Sequence, residues 1–182
     1  MPATAMARSF HERELSMSAK TSLALALAAG LFAAGAASAQ EVIRHRTPGS
    51  NFPIAAAVEV PAGRTTVYVS GMVPQVTNEQ APRNSVAAFG DTKAQTVRVL
   101  QAIEKALQRM NLQMKDVVKM QVFLVADPNK ENRMDFAGFM EGYTQFFGTA
   151  QQPNLPSRSV MQVAGLVNPG WLVEIEVTAV RP

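Results

Sequence analysis

Residues 172–180, LVEIEVTAV, alternate so regularly that they limit what the rest of the chain can build: Val173, Ile175 and Val177 share one face of an extended strand, and Glu174, Glu176 and Thr178 share the other. Such a strand needs a sheet with one dry face. Two carboxylates two residues apart repel each other, so the second face is either wet or supplied with positive charge. The dry face in turn needs a cover. DTKAQTVRVLQAIEKALQRM, residues 91–110, provides one, because Val97, Leu100, Ile103, Leu107 and Met110 recur at steps of three and four and Asp91 or Thr92 can cap the start. A second helix is predicted from about Asp135 to Phe147, with Phe136, Phe139, Met140, Tyr143 and Phe147 inward and Gly148 as its stop. At helical spacing this run of Phe and Met is core rather than a cofactor box.

Five strands surround these helices. AAAVEV and TTVYVSG, joined by Pro61–Arg64, read as a hairpin; DVVKMQVFLV follows the first helix; Arg158–Val163 and Leu172–Val180 close the chain. Residues 73–90 have no clean period and read as a long surface loop, and residues 40–52 as a polar N-terminal arm. The predicted order is β-β-α-β-α-β-β. That implies an α+β fold, a two-layer sandwich in which two helices cover one face of a mixed β-sheet.

The first 39 residues read differently. From Met17, the expected start, MSAKTSLALALAAGLFAAGAASAQ runs from a lysine through an Ala/Leu-rich stretch to Ala37-Ser38-Ala39. This is the pattern of a secretory signal peptide with cleavage after Ala39, so residues 1–39 are read as a leader and residues 53–182 as the domain proper. An uncleaved anchor is the alternative; the alanine-heavy run and the absence of a basic cluster after it favour cleavage, a periplasmic location and no lasting membrane association.

Composition removes several chemistries. The chain has no cysteine and two histidines, of which His11 lies in the leader and His45 near the mature start. A thiol nucleophile, a Ser-His-Asp triad and a multi-histidine metal site are therefore not expected, and neither metal nor cofactor is assigned. Removing Arg8, Arg13, Lys20, Glu12 and Glu14 with the leader lowers the net charge from +3 to +2, too little for a nucleic-acid footprint. Any acid–base work falls to carboxylates, Lys, Tyr or water. Arg158, opening its strand after Pro153 and Pro156, is by itself either a solvated strand end or a site. Glu174 and Glu176 form either a solvated sheet face or part of a subunit interface.

In order along the chain, VYVSGMVP, DTKAQTVRVLQAIEKAL, DVVKMQVFLV, the DFA at Asp135–Ala137, QPNLPSRSVMQVAGL and VEIEVTAVRP resemble the RidA family, also called the YjgF/YER057c/UK114 family, over residues 53–181. The resemblance implies a chorismate-mutase-like fold, assembled as a homotrimer with sheets inward and a cleft at each subunit junction. It implies that Arg158, in Pro-x-Arg-Ser, grips the carboxylate of a 2-imino or 2-aminoacrylate acid. Glu174 would position the attacking water, and Ser70 and Gly71 would line the cleft. The product would be a 2-keto acid and ammonia, making the chain a C–N hydrolase of the imine-deaminase type. Three positions depart from the family pattern: Phe52-Pro53-Ile54 carries no tyrosine hydroxyl, Met140 stands where an asparagine is frequent, and Val160 where a cysteine often follows Arg-Ser. These imply a more apolar cleft. The alternative is an exported trimer that binds small carboxylates without turnover. A ribonuclease fits poorly with the modest charge.

Overall fold

The computed structural model describes residues 40–182, and the leader reading lies outside them. Six strands and two longer helices follow one another: β1 (Ile43–His45), β2 (Ala57–Glu59), β3 (Thr66–Met72), α1 (Thr92–Arg109), β4 (Val117–Val125), α2 (Phe136–Tyr143), β5 (Ser157–Val163) and β6 (Val173–Val180). The main sheet has the order β3-β6-β4-β5, antiparallel except for the parallel pair β4–β5. This is the predicted mixed sheet with two helices, but with four strands rather than five, because β2 leaves it to form a separate two-stranded sheet with β1 in the arm.

Helix α1 begins where Asp91 accepts a hydrogen bond from the Ala94 N–H at 2.8 Å. It ends in a Schellman turn. Asn111 takes a left-handed φ of 57°, Leu112 N–H reaches Leu107 O at 2.9 Å, and Asn111 N–H reaches Gln108 O at 3.0 Å. Its buried face is Val99, Leu100, Ile103 and Leu107, with Gln95 and Thr96 buried beside them, so Val99 takes the place expected for Val97, which is only half-buried. These side chains pack against Met120, Val122 and Leu124 of β4 and Val173, Ile175 and Val177 of β6 in one core. Gln95 is the polar pin of that layer. Its amide donates to Gly90 O (2.9 Å) and Gly170 O (3.0 Å), and its oxygen accepts from Leu172 N–H (2.7 Å), fixing the entry to β6.

The hairpin expected between residues 55–60 and 65–71 does not form. β2 pairs with β1, and β3 pairs with β6. The reason is position: Ala55 bridges Ser157 and donates its N–H to Pro156 O at 2.9 Å, so this segment lies beside β5, at the opposite edge from β3. Arg44 fastens the arm there, donating to Val117 O (2.9 Å), Leu155 O (2.7 Å) and Lys115 O (2.9 Å). The arm is thus a pinned strand rather than a loop. The last two strands are not neighbours: β6 lies between β3 and β4, while β5 joins β4 in parallel.

Candidate functional site

Strand register decides which side of the sheet each candidate residue occupies. Arg158 is paired with Met120, which is fully buried under the helices, so Arg158, Val160 and Gln162 point to the helix side. Glu174 is paired with Phe123 and shares the helix-free face with Glu176, Gln121 and Lys119. Val160 and Gln162, paired with the buried Val122 and Leu124, therefore lie away from the glutamate face. Within one chain the six candidates form two groups: Arg158, Met140 and Val160 on one side, Ser70, Gly71 and Glu174 on the other.

The first group is built around a half-buried guanidinium. Arg158 Cζ lies 4.1 Å from the Tyr143 ring centroid, 5.0 Å from Phe139 and 5.5 Å from Phe52. Its Nη2 donates to Met140 Sδ at 3.2 Å, a weak acceptor. Nη1 is buried and has no acceptor. Among the described residues, no carboxylate forms an ion pair with Arg158. Burial pulls the Arg158 pKa below its usual value, with Tyr143 opposing the shift; arginine starts so high that the group stays charged. Burial pushes the Tyr143 hydroxyl up to about 12, against the pull of Arg158, and the protonated hydroxyl donates to Pro53 O at 2.9 Å. That bond holds the loop that carries Phe52 over the guanidinium. α2 can present Met140 and Tyr143 here because Asp135 caps it, accepting from Gly138 N–H at 2.9 Å.

The second group depends on a bulge. The β3–β6 register shifts between Val69 and Met72, so Ser70 and Gly71 together face the stretch of β6 between Ile175 and Val177. Gly71 has no side chain where the Glu174 carboxylate lies. A Cβ there would collide with Oε1 and Cδ of Glu174, so glycine is what lets the carboxylate lie against the strand. Ser70, Lys119, Gln121 and Glu176 line a shallow cavity of about 280 Å³ on the same face. Among the described residues, no group of three or more His, Cys, Asp or Glu is placed to hold a metal ion.

The sequence reading placed Phe136, Phe139 and Tyr143 in the core and had no role for them beside Arg158. In the structure Phe139 and Tyr143 are buried, while Phe136 is 36% exposed at the mouth. The 136, 139, 143, 147 spacing was the available signal, since it stacks aromatic rings along one helix face and its continuation. Phe147 lies inward as expected, just beyond the end of α2.

Comparison with known proteins agrees with this architecture. The family described as Endoribonuclease L-PSP matches residues 49–181. A RutC family protein of Pyrococcus abyssi is 29% identical over 144 residues, covering 79% of this chain and 98% of that protein. Protein DfrA of Myxococcus xanthus is 31% identical over 135 residues, 74% of this chain and 90% of its own. Among solved structures, YyfB of Yersinia pestis, described as of the conserved Rid protein family and of unknown function, superposes with a TM-score of 0.56 at 25% identity, covering 76% of this chain and 96% of that one. Escherichia coli TdcF with bound serine superposes with a TM-score of 0.50 at 31% identity, covering 79% and 99%. With that match spanning most of its length and these folds beside it, the chain belongs to the Endoribonuclease L-PSP family, the YjgF/RidA/UK114 group.

Proposed function

We propose that this protein hydrolyses reactive 2-imino acids, including those formed from 2-aminoacrylate-type enamines, to 2-keto acids and ammonia. The observation that carries the reading is Arg158: a permanently charged, half-buried guanidinium with one nitrogen unsatisfied and no acidic partner among the described residues. A carboxylate is the natural complement, since its two oxygens match the planar fork of a guanidinium. TdcF, solved with serine, holds a ligand that has such a carboxylate beside a 2-amino group.

The chemistry then needs a water. Glu174 takes one proton from that water as the water oxygen adds to C2 of the imine and passes it to the nitrogen; the hydroxyl so formed gives up its proton, which reaches the nitrogen through the same carboxylate, as the C–N bond breaks, and ammonia leaves the 2-keto acid behind. Arg158 and Glu174 lie on opposite sides of one sheet, so a complete site joins the Arg158 half of one copy to the Glu174 half of another. We therefore place the reaction in a cleft between copies of a homotrimer, and the protein in the periplasm on the strength of its leader. The same separation favours one alternative, carboxylate binding by the Arg158 half alone with no turnover. The endoribonuclease in the family's description finds less support, because a net charge of +3 provides no basic footprint for RNA.

The test generates an imino acid in situ from an amino acid with an oxidase and follows trapping of the imine by semicarbazide. Wild type should suppress the trapped product; Arg158→Ala and Glu174→Gln should not. If Glu174→Gln suppresses it as well as wild type, the assigned role of Glu174 is wrong. If wild type suppresses nothing but binds carboxylates through Arg158, the non-catalytic reading takes its place.

A further inference from the structure

Five aromatic rings run outward from the core beside Arg158. Phe147, Tyr143, Phe139, Phe136 and Phe52 follow one another with centroid steps of 5.0, 5.7, 6.1 and 6.5 Å, the spacing of stacked and tilted aromatic pairs. The inner end is closed, with Phe147 buried. The outer end is open: Phe136 is 36% exposed and Phe52 44%. Phe136 also lines, with Met134 and Gln162, a neighbouring cavity of about 580 Å³ whose wall is otherwise mostly charged (Lys130, Glu131, Arg133 and Asp135) and does not include Arg158 or Phe52. Gln162 lies on the same face of β5 as Arg158, with Val160 between them. A cation with no carboxylate partner among the described residues thus stands beside Phe52, which stacks on Phe136 to form a water-exposed pair of rings.

We propose that this site selects carboxylic acids whose side chain ends in an aromatic ring or a comparably large apolar group, with the carboxylate on Arg158 and the side chain on the Phe52–Phe136 shelf. The proposal rests on the reading of Arg158 as the carboxylate anchor and adds the substrate class. A small acid would satisfy the guanidinium and leave both rings wet. A ligand carrying its own ring extends the ladder by one step and takes that apolar area out of water. Met140, whose sulfur accepts from the guanidinium, and Val160, two residues along β5 from Arg158, are both apolar and offer no hydroxyl or amide to a short hydroxylated side chain.

Isothermal titration of the purified protein with 3-phenylpropanoate and with propanoate tests this without requiring turnover. The expected result is a preference of about tenfold or more for phenylpropanoate, the scale set by burying a ring against aromatic neighbours. Phe136→Ser, at an exposed position that should tolerate it, should bring the ratio close to one. Arg158→Met should abolish binding of both acids. Equal affinities in wild type, or a preference that survives both Phe136→Ser and Phe52→Ser, overturn the shelf while leaving the anchor intact. Binding that is indifferent to Arg158→Met overturns the anchor itself. Sedimentation of Phe136→Ser supplies a last check: a changed assembly state with an unchanged affinity ratio makes the shelf a contact between copies, and the proposal falls.

Discussion

If Arg158 is held for a ligand rather than for the fold, replacing it with methionine should stabilise the unliganded protein. The magnitude follows from its surroundings. Leaving the buried Nη1 without an acceptor costs about 1–3 kcal/mol. Burial of the charge adds to that cost, and the one close ring, Tyr143 at 4.1 Å, offsets about 0.5–2 kcal/mol of it, with Phe139 and Phe52 too far off at 5.0 and 5.5 Å to match it. Methionine keeps the unbranched stem, needs no acceptor, and replaces the cation with sulfur–aromatic contacts of about 0.3–1.5 kcal/mol. The balance favours Arg158→Met by about 1 kcal/mol, a rise of roughly 3–5 °C in Tm for a domain of this size. Melting curves at one fixed protein concentration measure it, since assembly makes Tm concentration-dependent. The same curves with excess phenylpropanoate should raise the wild-type Tm and leave the variant's unchanged. A variant that melts lower than wild type by a comparable margin refutes the reasoning. Arg158 would then be a structural cation held by its rings, and the case for a binding site would lose its main support.

Two further outcomes follow from buried polar groups. Gln95→Leu strands the Leu172 N–H and two backbone carbonyls in the core, and should cost about 2–4 kcal/mol in chemical denaturation with the slope of the transition unchanged. Tyr143 governs an alkaline limb of stability. Its folded pKa of about 12 exceeds the unfolded value near 10, so the native state favours the protonated phenol. That contribution is complete below pH 10 and is lost as pH rises from 10 through 12, amounting to about 2–3 kcal/mol. Tyr143→Phe should remove this part of the pH dependence and also release Pro53 O. A variant with the same alkaline slope as wild type would rule out Tyr143 as its source.

How much could be read beforehand depended on whether the controlling interaction was local. Alternation in β6 and the three–four spacing of α1 are local, and both elements formed within a residue or two of their expected bounds. Strand partnership is not local. A hairpin between residues 55–60 and 65–71 satisfied every short-range signal, yet Arg44 and the Ala55 bridge fasten the first segment to the other edge of the sheet, through contacts with residues 115–117 and 155–157. Gln95 gave no sign of being buried, because the groups that satisfy it come from Gly90, Gly170 and Leu172. In the site, the candidate residues were available from motif and resemblance, and alternation along β5 gives Arg158, Val160 and Gln162 one parity. Which side of the sheet that parity meant depended on β5 lying parallel to β4, a pairing that no feature of β5 itself records.

The bulge at Ser70–Gly71 has a consequence for how the Glu174 half can vary. Elsewhere on the helix-free face a change of side chain alters one surface position at a time. At Gly71 the backbone itself is the surface against which the Glu174 carboxylate lies, so even one added methyl group must displace that carboxylate. Exchanging exposed rings reshapes only the rim around Arg158, whereas a side chain at Gly71 acts on the position of the Glu174 carboxylate, whose flexible end must swing aside, rather than on the fold. If the two halves serve one reaction, the rim is free to choose the ligand and the bulge keeps the chemistry the same.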